Sequence, residues 1–171
     1  MKEFRKVITM LLIGLMVAIV IYPFFHESGH SIAALIVGGD IVEYHLWPLP
    51  NIICNVGNVS VGGKVLIGVS GMLFPIAITT FLFHPQKKFW LWYANLIFRG
   101  ICLLSIAITG AAVFLFSIDK PVANEDITTV LNIAPNLSPT VSIASLLIFS
   151  SMIIMIAKDK PVRKIGDYLL K

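Results

Sequence analysis

Four apolar runs, each close to the length of a bilayer's hydrocarbon core, constrain this chain more than any other feature. A spanning helix needs about 20 mostly apolar residues. Runs meeting that need lie at about 7–37, 65–83, 89–118 and 141–157. The composition points the same way. Of 171 residues 57% are hydrophobic and only 13% charged, against about 25% charged in an average globular chain. That leaves too little polar surface to clothe a water-soluble domain. Disorder, collagen, coiled coil and a disulfide-stapled secreted scaffold are excluded on the same ground. The expected fold class is an all-α polytopic membrane protein with about four transmembrane helices, forming a single integral membrane domain over residues 1–171.

The distribution of charge sets the topology. The net charge of +4 comes from 13 Lys and Arg, but these flank apolar runs instead of gathering on one face between aromatic platforms, so no nucleic-acid partner is expected. Lys2, Arg5 and Lys6 precede the first run, Lys87 and Lys88 lie between the second and third, and Lys158, Lys160, Arg163, Lys164 and Lys171 follow the fourth. The remaining loops, 39–63 and 119–138, lie together on the opposite side, and the only cations near them are Lys64 and Lys120. The positive-inside rule puts both termini and the His84–Lys88 turn in the cytoplasm, and the two long loops outside. The first run is too long for a signal h-region and contains Pro23, Phe24 and Phe25 with no small-residue cleavage site, so it is expected to be retained. Arg99 follows the aromatic belt of Trp90, Trp92 and Tyr93. It reads as an arginine snorkelling to the inner interface, with the span starting near Gly100; the alternative is an arginine facing the bundle interior with a partner.

At the end of the first run stands His26-Glu27-Ser28-Gly29-His30. Two histidines four apart project from one face of a helix and can hold one metal ion, with Glu27 beside them to take a proton from water. Ionisable groups next to a hydrocarbon-length helix are costly and usually mark a site. Ser31–Gly39 continues the helical pattern past His30, and Gly29, Ala33 and Ala34 let another backbone pack close. Cys54 and Cys102 are too few and too far apart for a metal knuckle and read as ordinary thiols.

This motif, followed by Ala33-Ala34 and then Gly38-Gly39-Asp40-Ile41-Val42-Glu43-Tyr44, resembles the site-2 protease family of intramembrane zinc metalloproteases. The likeness is specific over residues 24–48 and topological elsewhere, and no PDZ-like insertion fits the loops. It implies a zinc cofactor within the membrane, His26 and His30 as ligands, Glu27 as the catalytic base, and transmembrane proteins or peptides as substrates. The family's third ligand is an aspartate near the end of the third core helix, in an Asn-Pro-Asp-Gly or Leu-Asp-Gly motif; this chain has neither. The family also implies zinc nearer the cytoplasmic face, whereas the charges here put it nearer the outer face, and we follow the charges.

A catalytic zinc needs three protein ligands. Asp40 and Glu43 are too near His30 in sequence to fold back onto it, Asp159 and Asp167 lie at the cytoplasmic end, and His84 is on the wrong side; His45 is a possible nitrogen ligand. The first and third spans run in the same direction, so Asp119, Glu125 and Asp126 come to the same face as His26 and His30. Asn124 as a cap and Ile127, Val130 and Leu131 at helical spacing favour Asp126, with Glu125 and Asp119 as alternatives.

Between the first two spans, alternation around Ile41–Trp47 and Val56–Val61 suggests a β-hairpin, whose exposed strand could pair with an unwound substrate. The glycines between Gly62 and Gly71 supply close helix packing. The expected function is metal-assisted peptide hydrolysis in or near transmembrane segments. A non-catalytic pseudoprotease that holds a partner helix, and a small metal transporter, are the competing readings.

Overall fold

A change of pitch inside the first span sets the direction of everything after it. The computed structural model describes residues 2–45, 50–81, 88–123 and 125–170. Helix α1 (Lys2–Met16) passes into a π-helical turn at Val17–Ile21 and then into α2 (Tyr22–Ile36). Pro23 explains the turn, because it has no N–H to give to the carbonyl four residues back. The Tyr22 N–H instead reaches back five residues to the Val17 carbonyl. Such a turn holds one extra residue and rotates the following face by about 100°. Helix α1 buries none of its residues, whereas α2 buries Gly29, His30, Ser31, Ala33 and Ala34. Helix α2 ends at Gly38, whose φ of 81° suits only glycine without strain. There the Gly38 and Gly39 N–H groups return to the Leu35 and Ala34 carbonyls, the helix-ending pattern of a Schellman motif.

Strands β1 (Asp40–His45) and β2 (Asn51–Asn55) form an antiparallel pair, with a register irregularity between Ile41 and Glu43. The hairpin is present, but its second strand is not at Val56–Val61. That stretch turns at Gly57, and Ser60 caps the next helix, accepting the Gly63 N–H on its hydroxyl and the Lys64 N–H on its carbonyl. Helix α3 (Val61–Phe81) therefore starts four residues earlier than Val65. Helix α4 spans Phe89–Ser117, the short α5 spans Asp126–Ile133, and α6 (Ser138–Lys158) leads to α7 (Pro161–Leu169). Trp47, Leu82, Phe83, His84, Lys87 and Asn124, all of which entered the sequence reading, lie outside the described residues.

Four helical stretches are long and apolar enough to cross a membrane: Lys2–Ile36, Val61–Phe81, Phe89–Ser117 and Pro135–Leu169. Leu12, Leu104, Phe114 and Leu146 are each at least 60% exposed, as apolar side chains facing lipid would be. The chain is thus an all-α polytopic membrane protein with a β-hairpin after its first span. Two packed clusters hold it together. Ile127, Val130 and Leu131 of α5 bury against Ala112 and Val113 of α4 and against Val65 and Val69 of α3; Cys102 and Ile106 of α4 bury against Met152 of α6. At the opposite end, Lys6 Nζ donates to the Tyr168 carbonyl (3.0 Å) and the Tyr168 ring stacks on Phe89 (3.7 Å). The two termini and the start of α4 therefore share one end of the bundle.

Arg99 does not snorkel to an interface, and the third span does not begin near Gly100. The helix already runs from Phe89, so Arg99 sits on its third turn, 6% exposed. Its Nη1 donates to Asp159 Oδ2 (2.7 Å) and its Nε to Thr79 Oγ1 (3.3 Å), while the Thr79 hydroxyl donates to Asn95 Oδ1 (2.6 Å). A buried guanidinium needs a counter-ion and acceptors. Asp159, at the C-cap of α6, supplies the charge from 60 residues away.

Candidate metal centre

Helix α2 carries His26, Glu27 and His30. The hydroxyls of Ser28 and Ser31 are satisfied within it, donating to the Phe24 and Glu27 carbonyls. Gly29 lets α3 come into backbone contact, since a Cβ there would strike the Ser70 carbonyl and Phe74. Gly71 goes further: a Cβ at that position would strike the His30 ring and lie 2.9 Å from His26 Cε1. Both imidazoles are thus seated on a bare stretch of α3 backbone. Helix α5 approaches α3 at Gly68, where a Cβ would collide with Val130. That contact delivers Asp126, the first residue of α5, to the two histidines.

Three atoms converge. His26 Nε2 lies 3.1 Å from Asp126 Oδ2, His30 Nε2 lies 3.2 Å from the same oxygen, and the two Nε2 atoms are 3.2 Å apart. His30 Nδ1 is 2.7 Å from the Ile67 carbonyl, which can only accept, so Nδ1 carries the proton and a neutral His30 presents a lone pair at Nε2. Lone pairs from three residues directed at one point require a positive charge between them, either protons or a metal ion. A tetrahedral site with arms of about 2.0–2.1 Å has edges of about 3.3–3.4 Å, close to the triangle observed. The Ile67 carbonyl is the outer hydrogen bond that metal-binding histidines ordinarily make. His26 Nδ1 is buried with no partner among the described residues. The donor set fits zinc. Softer and harder divalent ions are not distinguished by geometry alone.

The other candidates lie elsewhere. Glu125 caps α5, its carboxylate accepting the Thr128 N–H at 2.9 Å; burial pushes its carboxyl up, against that bond. Asp119 follows α4 in left-handed backbone with φ 58°, and His45 pairs with Glu43 on the exposed strand β1 at 2.8 Å. Among the described residues, His26, His30 and Asp126 are the one group of three or more potential ligands in reach of a common ion. For Asp126, burial raises the carboxyl, but hydrogen bonds and charge from His26 and His30 outweigh it and hold the group well below the usual carboxylate range. Cys54 is pushed up by burial and by the nearby Glu27 charge, which keeps it a thiol and not a ligand, as expected.

A cleft of about 370 Å³ opens beside the cluster, lined by Glu27, His30 and Asp126, by Ile52 and Cys54 of β2, and by Lys64 of α3. Neither Lys64 nor the contact of Gly71 with the histidines was evident in the sequence, although the glycine-rich start of α3 was its one visible sign. Comparison with family models, with curated proteins and with solved structures returns no match to this chain.

Proposed function

We propose that the chain is an intramembrane zinc metalloprotease of the site-2 protease type, hydrolysing peptide bonds in or near transmembrane segments of membrane proteins. The observation that carries this reading is the convergence of His26, His30 and Asp126 at 3.1–3.2 Å beside a carboxylate, Glu27, in an open cleft. A site meant only to hold metal has no need of that fourth acid. Zinc in a three-ligand site supplies Lewis acidity, bringing the pKa of water to about 7 and polarising a carbonyl. The Ile67 carbonyl and Gly71 hold the imidazoles in place. Glu27 accepts a proton as the water oxygen bonds to the carbonyl carbon, and returns it to the amine nitrogen as the C–N bond breaks. Strand β2 forms a wall of the cleft, where an extended peptide could add main-chain hydrogen bonds. A substrate helix must unwind first, because its peptide groups are otherwise engaged.

Ten of the 13 Lys and Arg belong to the termini or the turn before α4, so we infer cytoplasmic termini and a metal site nearer the outer face. Reporter fusions at the two termini and in loop 119–125 test that orientation. The test of function is Glu27→Gln. It is expected to retain about one zinc per chain by elemental analysis and to lose cleavage of transmembrane substrates. Cleavage by the variant removes Glu27 from the mechanism; zinc binding with no cleavage by the wild-type protein supports a binding role instead.

A further inference from the structure

The cleft contains a charge that hydrolysis does not use. Lys64 lines the same cavity as Glu27, His30 and Asp126. It is half-buried, and its ammonium makes no ion pair or hydrogen bond among the described residues. Its position is also electrostatically wrong. It stands in the first turn of the 21-residue helix α3, where the helix dipole favours anions and disfavours cations. A residue that breaks a local rule without a visible compensating contact is expected at functional sites. The walls around it include Ile52, Ile67, Val130 and Ile133, so a carboxylate meeting Lys64 there would be partly shielded from water. The loops at this end otherwise carry acids: Asp40, Glu43, Asp119, Glu125 and Asp126. An acidic side chain entering the cleft is repelled near Glu27 and Asp126 and attracted only at Lys64.

We propose that Lys64 is a specificity residue, receiving the side-chain carboxylate of an Asp or Glu in an extended substrate segment and thereby fixing which peptide bond faces Glu27. The proposal rests on the hydrolase reading of the cleft. Charge complementarity of this kind sets register and rejects wrong partners.

The test uses the full chain with Glu27→Gln in lipid nanodiscs, so that binding is measured without turnover. The probes are fluorescein-labelled decapeptides of alternating Val and Thr carrying one Glu, moved through each position, beside their Gln counterparts. At one position the Glu peptide is expected to bind about tenfold or more tightly than its Gln counterpart, as a shielded charge-assisted hydrogen bond would give. Lys64→Gln should remove that preference, and Lys64→Glu should reverse it toward a Lys peptide, both with zinc content unchanged. No preference for Glu at any position, or a preference that survives Lys64→Gln, overturns the proposal. Wild-type protein is then given the same peptides. Cleavage without a Glu preference overturns the role of Lys64 alone, whereas a Lys64-dependent preference without cleavage overturns the hydrolase reading and leaves Lys64 as a ligand contact.

Discussion

Replacing Gly71 by alanine should weaken metal binding with no change to any ligand. The added methyl would overlap His30 Nε2 and lie 2.6 Å from His30 Cε1 and 2.9 Å from His26 Cε1, where ordinary contact begins at 3.4 Å. Relief requires the His30 ring or the α3 backbone to retreat by about 1 Å, whereas metal–ligand distances tolerate only about 0.2 Å. Disturbing the groups that orient ligands typically costs about 10–100-fold in metal affinity, and this displacement acts on the ligand itself. We expect the upper end of that range, about 100-fold or about 2.7 kcal/mol. Helix propensity works the other way, favouring alanine over glycine by about 1 kcal/mol, so the loss should appear in metal affinity with helix content kept. Competition against a chromogenic chelator in detergent reads the affinity, with circular dichroism as the check on folding. Gly100→Ala is the control, since nothing lies within 4 Å of a Cβ there, and it should bind zinc like the wild type. Wild-type affinity in Gly71→Ala would refute the seating of the histidines on α3.

The acids beside the site should separate by role. Asp126→Ala is expected to lose zinc, measured by elemental analysis after reloading. Glu125→Ala should keep zinc while costing about 1 kcal/mol as a lost helix cap, seen as faster hydrogen exchange across α5; zinc lost only with Glu125 would reverse the assignment. In the buried pair at the far end, Arg99→Met or Asp159→Asn alone should destabilise the bundle by about 3 kcal/mol, because each leaves its partner uncompensated. Exchanging both for methionine should recover much of that loss in a double-mutant cycle of unfolding in mixed micelles. Single variants that unfold like the wild type would mean that water reaches the pair.

Signals with a short period were readable from the sequence, and contacts between distant segments were not. The spans follow from apolar length, and His26, Glu27 and His30 from a spacing that one helix turn enforces. Asp126 was within reach of argument because two parallel spans must end at the same face, and because Ile127, Val130 and Leu131 fix which side of α5 is buried. Asn124, the cap invoked for that helix, lies outside the described residues, and Glu125 stands at the cap instead. The second strand was misplaced because Val56–Val61 alternates as a strand would; no periodicity reveals that Ser60 will start a helix. Arg99 was misread because the aromatic belt before it satisfied a local explanation. Its partner comes from a helix end 60 residues away.

Helix α3 shows most clearly why local reading stops short. It supplies none of the three ligand atoms, and its sequence presents only apolar and small residues around the contact. Yet the Ile67 carbonyl fixes the tautomer of His30, Gly71 makes room for both imidazoles, and Gly68 admits the helix that brings Asp126. A backbone carbonyl is present at every residue, and a glycine matters here for the atoms it lacks, so neither leaves a side-chain signature. The metal centre therefore depends on α3 as much as on α2. Substitutions that only enlarge its glycines should impair metal binding while every ligand residue remains in place.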